Sequence, residues 1–265
     1  MDGIFTCTVG QFEVSTLVEV ERDGDVSIIP DASKEILNRY IPAEGFKSAI
    51  NIFFVKTPER NILVDTGFGG ESFNRLRSLG VGLDRIDVVL LTHMHRDHIG
   101  GLTKGGEPLF PNARVYIPQR DLEHFTKTAV SADAVAAITP YQAQSRVQTF
   151  QPSELEETMS ELLPGITPIA AYGHTPGHTV FLIESEGERF FIIGDIVHVA
   201  PVQFPCPEIT VIYDVDKSTA AASRLKILNY VARNEIPISG VHIAPPGNGT
   251  VQSAGNGFSF TPAAC

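Results

Sequence analysis

The sequence predicts an α+β fold in which two β-sheets are sandwiched between helices. Three observations predict it. Strand-like segments come first, helical patterns follow, strands return, and a helix and a strand close the chain. Several of the strands are continuous apolar runs, as expected where a strand is buried on both faces. The residues best suited to chemistry fall just beyond strand ends, where a rigid scaffold holds loops in place.

The elements follow in order. Residues 10–21 alternate apolar and polar positions (Phe12, Val14, Thr16, Val18, Val20), and Asp23-Gly24-Asp25 then supplies a turn, so this is an early hairpin strand. Residues 49–56 and 61–65 form two more strands, with Pro58 and Asn61 between them. A short helix over 71–79 ends near Gly80 and Gly82. The apolar run 87–92 is of strand length and leads straight into His93. Residues 113–118 form a strand, 119–128 and 131–145 carry helical patterns, and 150–165 is acidic and loop-like or weakly helical. Strands recur at 166–171, 179–184 and 189–194. Asp216 caps a helix over 217–233 with Leu225, Leu228 and Val231 on one face. The last strand, 236–243, carries His242 near its end. With no repeat, low-complexity stretch or linker, residues 1–265 are expected to form a single domain.

Composition excludes several function classes. The 20 basic and 31 acidic residues give a net charge of −11, which repels phosphate backbones and anionic membranes. Neither nucleic acid nor membrane is expected as a partner, and a small-molecule substrate is. Met1 to Thr6 carry neither a basic nor an apolar leader segment, so a cytoplasmic location is expected. The odd count and wide spacing of Cys7, Cys206 and Cys265 argue against a disulfide framework.

The strongest local signal is His93-x-His95-x-Asp97-His98, with four metal-capable groups in six residues. On an extended chain His93 and His95 point the same way. A turn after them lets Asp97 and His98 face a neighbouring point. Four ligands do not complete two sites. His178, Asp195 and His242 all stand at strand boundaries and are the candidates for the remainder. Taken singly, each also fits a structural role.

Taken together, Asp65-Thr66-Gly67, the His-x-His-x-Asp-His run, Gly173 to His178, Gly194-Asp195 and His242 resemble the metallo-β-lactamase superfamily. The segments from Gly194 to Phe204 and from Val241 to Gly247 are most similar to the branch that contains methyl parathion hydrolases and related lactonases. The resemblance implies a four-layer αβ/βα sandwich of two mixed sheets flanked by helices. It implies one cation on His93, His95 and His178, a second on Asp97, His98 and His242, and Asp195 bridging the two. Asp65 would orient the His loop, the alternative being a simple turn before Gly67. Zinc is the first expectation for the two divalent cations, with iron, manganese and cobalt also fitting such ligands.

Two such cations lower the pKa of a shared water, so the expected reaction is attack of a bridging hydroxide on a lactone or ester carbonyl. Asp97 or a metal-bound water would protonate the leaving group. His198 stands three residues after Asp195, where acyl-homoserine lactonases of the superfamily place a substrate-contacting Tyr. It is expected either to donate a similar hydrogen bond or to form the cavity wall. Catalytic roles therefore fall on Asp97, Asp195 and His198, while His174 is expected to shape a turn and His124 to lie on a helix surface. Two alternatives stand beside this reading: hydrolysis of organophosphate triesters, and a metal-binding or ligand-sensing module without turnover. A homodimer is expected by analogy with relatives.

Overall fold

The alternating residues near the start of the chain do form a hairpin, in a computed structural model that describes residues 3–263. β1 (Ile4–Val9) and β2 (Phe12–Asp23) pair antiparallel through a two-residue turn at Gly10, whose φ of 57° favours glycine. A 3₁₀ turn (Val26–Ile28) and α1 (Lys34–Tyr40) follow, then β3 (Lys47–Lys56), β4 (Asn61–Val64), α2 (Glu71–Ser78) and β5 (Val88–Leu90). The next stretch holds α3 (Arg96–Ile99), the small hairpin β6 (Thr103–Lys104) and β7 (Glu107–Pro108), and β8 (Arg114–Pro118). α4 (Gln119–Glu123) runs into a π-turn (His124–Thr128), before α5 (Ala132–Ala143) and β9 (Val147–Phe150). The second half contains β10 (Ile166–Ala170), β11 (Thr179–Ser185), β12 (Glu188–Ile192), α6 (Ala200–Gln203), α7 (Lys217–Arg233), β13 (Ile238–Ser239), β14 (Asn248–Ala254) and β15 (Gly257–Pro262).

Two mixed sheets result. The first has the order β1-β2-β3-β4-β5-β8-β9 and the second β10-β11-β12-β13-β14-β15. Their apolar residues divide by the period of two. From β3, Ile52 and Phe54 pack outward with Phe73, Leu76, Ile138 and Tyr141 of α2 and α5. Phe53 and Val55 point the other way, meeting Phe181, Ile183, Phe190 and Ile192 of the second sheet. Beyond that sheet, Val180, Leu182 and Phe191 pack on Ile227, Leu228 and Val231 of α7. The layers are therefore helix, sheet, sheet, helix, as expected. The strands read as continuous apolar runs because both of their faces are covered.

The structure corrects several boundaries. In α7 the buried seam runs through Arg224, Ile227, Leu228 and Val231, while Leu225 is 44% exposed. Leu225 stands about 100° around the helix from Arg224, off the seam. The strand expected over 236–243 contracts to β13, because the chain must leave the sheet to carry His242 inward. β1, α1 and the β14–β15 hairpin are additional elements. Cys7 is disulfide-bonded, against the expectation from cysteine count and spacing. Sequence separation misled there, because Asn248 Nδ2 reaches both Cys7 Sγ (3.2 Å) and Ala263 O (2.7 Å), bringing the end of the described chain beside β1. Cys206 is free, and Cys265 lies outside the described residues. Among the described residues no helix is long and apolar enough to cross a membrane.

Candidate metal centre

Each loop that carries a candidate ligand is held by buried polar groups. β4 ends at Asp65, which is fully buried and takes a left-handed φ of 59°. That turn aims its carboxylate at the next loop, where it accepts from Thr92 N (2.8 Å), Thr92 Oγ1 (2.7 Å) and His98 Nδ1 (2.7 Å). Thr66 N and Oγ1 both donate to His98 O at 2.8 Å. Asp65 therefore orients the His loop, and the simple-turn alternative falls. On the opposite side, His242 donates from Nδ1 to Ala49 O (3.0 Å), and Asn51 Nδ2 holds Gly240 O and Ile243 O on either side of it.

The side chains converge on Asp195. His93 Nε2 and His174 Nε2 each lie 3.0 Å from His95 Nδ1, and 3.6 and 3.3 Å from Asp195 Oδ2. His98 Nε2 lies 3.8 Å from Asp97 Oδ1 and 3.3 Å from Asp195 Oδ1. His242 Nε2 lies 3.6 Å from Asp97 Oδ2 and 3.2 Å from Asp195 Oδ2. Three overlapping donor groups form among the described residues, His93–His95–His174–Asp195, Asp97–His98–His242 and Asp195–His198–His242, and the Asp195 carboxylate reaches all three. Of the seven predicted ligands the structure brings together His93, His95, Asp97, His98, Asp195 and His242.

It does not bring in His178. Both nitrogens of that ring are spent on backbone: Nδ1 donates to Ala171 O (3.0 Å) and Nε2 accepts from Asp195 N (3.0 Å). His174, expected to shape a turn, takes the place assigned to His178. The two imidazoles stand four residues apart in the same motif, and only the path of the loop decides which one faces inward. His174 Nδ1 donates to Asp214 (2.9 Å), which also accepts from Val211 N (3.0 Å) and lies 3.7 Å from the buried Arg224 guanidinium. Asp121 was missed as well. Fully buried in α4, it accepts from Met94 N (3.1 Å), Thr175 Oγ1 (2.9 Å) and Gly177 N (2.6 Å). It thereby ties the 93–98 loop to the 173–178 loop. No local signal marks Asp121 or Asp214, because their partners are far away in sequence. His124 stays outside the cluster in the π-turn.

His198 stacks on His242, with centroids 4.6 Å apart and planes 23° apart, and sets Nε2 3.2 Å from Asp195 Oδ2. Gln203 Oε1 fixes it by accepting from His198 N (2.7 Å) and Val199 N (3.0 Å). An ionised Asp195 only accepts, so His198 Nε2 donates to it. Nδ1, buried without a partner, is left as an acceptor.

The donor set fits cations. Fixed hydrogen bonds at Nδ1 leave Nε2 of His98, His174 and His242 to face the centre, whereas His95 offers Nδ1. Donor separations of 3.0–3.8 Å bracket the roughly 3.3 Å edge of a tetrahedron built on metal–nitrogen bonds of about 2.0–2.1 Å. Among the described residues His98 Nε2 and Asp195 Oδ1 are buried and 3.3 Å apart without forming a well-aligned hydrogen bond, an arrangement that suits donors aimed at a shared cation.

The electrostatics agree. Burial works against the His174 imidazolium, but hydrogen bonds to Asp195 and Asp214 outweigh it and raise His174 to about 9. His98 rises well above its ordinary value against the same burial, through Asp195, Asp65 and Asp97. Asp195, despite its burial, is drawn well below the usual carboxylate range by His242 and His98. The acidic oxygens therefore pull positive charge into the centre. His95 and His178, by contrast, are held to about 3 by burial and then by His174. Burial also raises Asp121 to about 6, even though Thr175, Gly177 and Met94 donate to it.

A cavity of about 570 Å³ opens over the cluster, lined by His95, Asp97, His174, Asp195, His198 and His242 below. Ile28, Phe46, Ile50 and Val199 give it apolar walls, with Phe68 and Tyr213 also in the lining.

Comparison with known proteins matches the same features. A model of the Metallo-beta-lactamase superfamily covers residues 46–234. The Probable metallo-hydrolase YybB of Bacillus subtilis (strain 168) is 25% identical over 151 residues, which is 56% of this chain and 61% of that protein. The chain thus matches about three-fifths of that relative's length. A hydroxyacylglutathione hydrolase of Aeromonas salmonicida (strain A449) is 37% identical over 70 residues, 26% of each chain. The crystal structure of hydrolase AbOPH, of the beta lactamase superfamily, is 29% identical and superposes with a TM-score of 0.89 over 99% of this chain and 98% of its own. AidC, a dizinc quorum-quenching lactonase solved with an N-acyl-homoserine product, is 27% identical with a TM-score of 0.85 over the same shares.

Proposed function

Since the chain belongs to the metallo-beta-lactamase superfamily, we propose that it hydrolyses a lactone or carboxylic ester at a centre of two divalent cations. One cation is assigned to His93, His95 and His174, the other to Asp97, His98 and His242, and Asp195 is shared. The observation that carries the reading is the convergence of these donors on one buried carboxylate beneath an open cavity. The likeness to a dizinc lactonase along 99% of the chain supports the substrate class. Zinc suits the imidazole-rich donor set.

When bound, the cations supply Lewis acidity and lower the pKa of a water they share. The chain's own residues do the rest. Asp65, Asp214 and Ala49 O fix the tautomers of His98, His174 and His242, so that their donor atoms are set before substrate arrives. Asp97, whose side chain is 24% exposed and lines the cavity, takes the proton released as water adds to the carbonyl carbon. It returns that proton to the leaving oxygen as the carbon–oxygen bond breaks. His198 is kept neutral, its pKa lowered to about 4 by burial despite Asp195. With Nε2 turned to Asp195 and Nδ1 buried, it serves as a wall of the cavity rather than as a donor to the substrate.

The test combines elemental analysis of the purified protein with rates on lactones, aryl esters and phosphotriesters, against His93→Ala as control. The expected result is two metal equivalents per chain and lactone or ester turnover that the control loses. Preferential turnover of phosphotriesters would reassign the substrate. Rates equal to the control on every compound would reduce the protein to a metal-binding module.

A further inference from the structure

We propose that Arg22 binds an anionic group on the substrate, so that esters or lactones bearing a second, ionised carboxylate are preferred; this preference presupposes the hydrolase reading above. Arg22 lies near the end of β2 and lines the cavity. It is placed there by a bulge: the β2–β3 register shifts between Val18 and Val20, after which Arg22 stands opposite Ser48. Bulges re-aim the side chains that follow them, and residues directly opposite in an antiparallel pair share a face. Ser48 also lines the cavity and donates from Oγ to His242 O (3.3 Å). Arg22 is therefore one cross-strand neighbour away from the loop that carries a proposed ligand.

Its guanidinium forms no close ion pair among the described residues, although it acts weakly on Asp25. Four carboxylates line the same cavity, and each is engaged elsewhere. Asp23 pairs with Lys47 (2.8 Å). Asp25 accepts from Ser27 N (2.8 Å), and its carboxyl is lowered chiefly by Ser27, with Arg22 a lesser influence. Asp97 and Asp195 belong to the metal centre. Arg96, the other cation of the lining, sits 3.6 Å from Asp133. Among the described residues Arg22 alone of the charged lining groups forms neither an ion pair nor a side-chain hydrogen bond. The remaining walls are largely apolar. A guanidinium over an apolar cavity suits a ligand with a carboxylate at one end and carbon along its length. The net charge of −11 strengthens the argument, since an anion approaching this chain is repelled overall and needs a local cation to be held.

The experiment has a binding arm and a turnover arm, both on zinc-loaded protein. For binding, calorimetry compares the mono-anilide of adipic acid, an inert analogue of an ester with an ionised far end, with its neutral primary amide. Wild type is expected to favour the acid by about five- to tenfold, a modest ratio because Arg22 is exposed. Arg22→Gln should bring the ratio near one, and Arg22→Lys should keep part of it. An equal preference in wild type and Arg22→Gln means the carboxylate goes to the cations alone and overturns the proposal, as does no preference in wild type. For turnover, para-nitrophenyl hydrogen adipate is compared with para-nitrophenyl adipamate. The acid is expected to have the higher kcat/KM, mainly through KM, with the gap closing in Arg22→Gln. Hydrolysis of both esters at equal kcat/KM sinks the Arg22 site and leaves the hydrolase standing. An Arg22-dependent binding preference with no hydrolysis does the reverse.

Discussion

His174 and His178 lie four residues apart and do different work, which mutation can separate. Replacing His174 with alanine removes a donor 3.0 Å from His95 and 3.3 Å from Asp195, so metal content should fall from two equivalents towards one. Replacing His178 with alanine instead strands Asp195 N without its acceptor, a loss of about 1–3 kcal/mol for a buried group. That variant should show a lowered melting temperature with more of its metal retained, and equal metal loss in the two variants would contradict the assignment. Asp121→Ala tests a residue whose hydrogen bonds go to the loops rather than to a proposed ligand side chain. It frees Met94 N, Thr175 Oγ1 and Gly177 N together. Chelator competition should show metal affinity reduced about 10–100-fold, as for other groups that orient ligands. The His-x-His-x-Asp-His run was legible in sequence because its donors are contiguous. The choice between two histidines in one loop was not, and neither were Asp121 and Asp214, because their meaning lies in partners that only folding brings near.

Among the elements, α7 shows how far a periodic pattern carries. Its cap and both ends are legible in Asp216 and the apolar repeat, as are Leu228 and Val231 of the buried seam, but Leu225 is exposed and Arg224 and Ile227 complete the seam instead. Leu228→Ala should cost about 2–5 kcal/mol through the cavity it leaves, whereas Leu225→Ala should stay within about 0.5 kcal/mol, both measured by denaturant titration. Asp216 accepts from Thr219 N and is held to about 2 by that bond and by the Thr219 and Ser218 hydroxyls. A carboxyl depressed on folding stabilises above its unfolded pKa, near 3.9, and loses that contribution as pH falls through the folded value. The melting difference between wild type and Asp216→Ala should thus be full above about pH 4 and shrink towards pH 2. The β14–β15 hairpin escaped the sequence reading although Gly255-Asn256, between the strand residues Val251 and Phe258, is a two-residue hairpin signal. Its strands are short of apolar residues because much of this edge faces water.

At the scale of the molecule, the proposed ligands come from both sheets: residues 93–98 follow β5 of the first, while His174, Asp195 and His242 hang from loops of the second. Cations would therefore cross-link the two halves of the sandwich. Chelation should lower the melting temperature and zinc should restore it. At a free cation concentration about 1,000 times Kd the stabilisation approaches 4 kcal/mol per site. An unchanged melting curve after complete metal removal would remove the cross-link from the account. The terminal hairpin has a longer reach than its position suggests. Phe258 N donates to Phe204 O (2.9 Å), and Phe260 lies flat on Phe204 with ring centroids 4.8 Å apart. Phe204 directly follows Gln203, the residue that grips the backbone of His198. The rearmost edge of the molecule is thereby a buttress for one wall of the cavity, and damage at Phe258 or Phe260, sixty residues or more downstream of His198, would be felt there as a loosened imidazole.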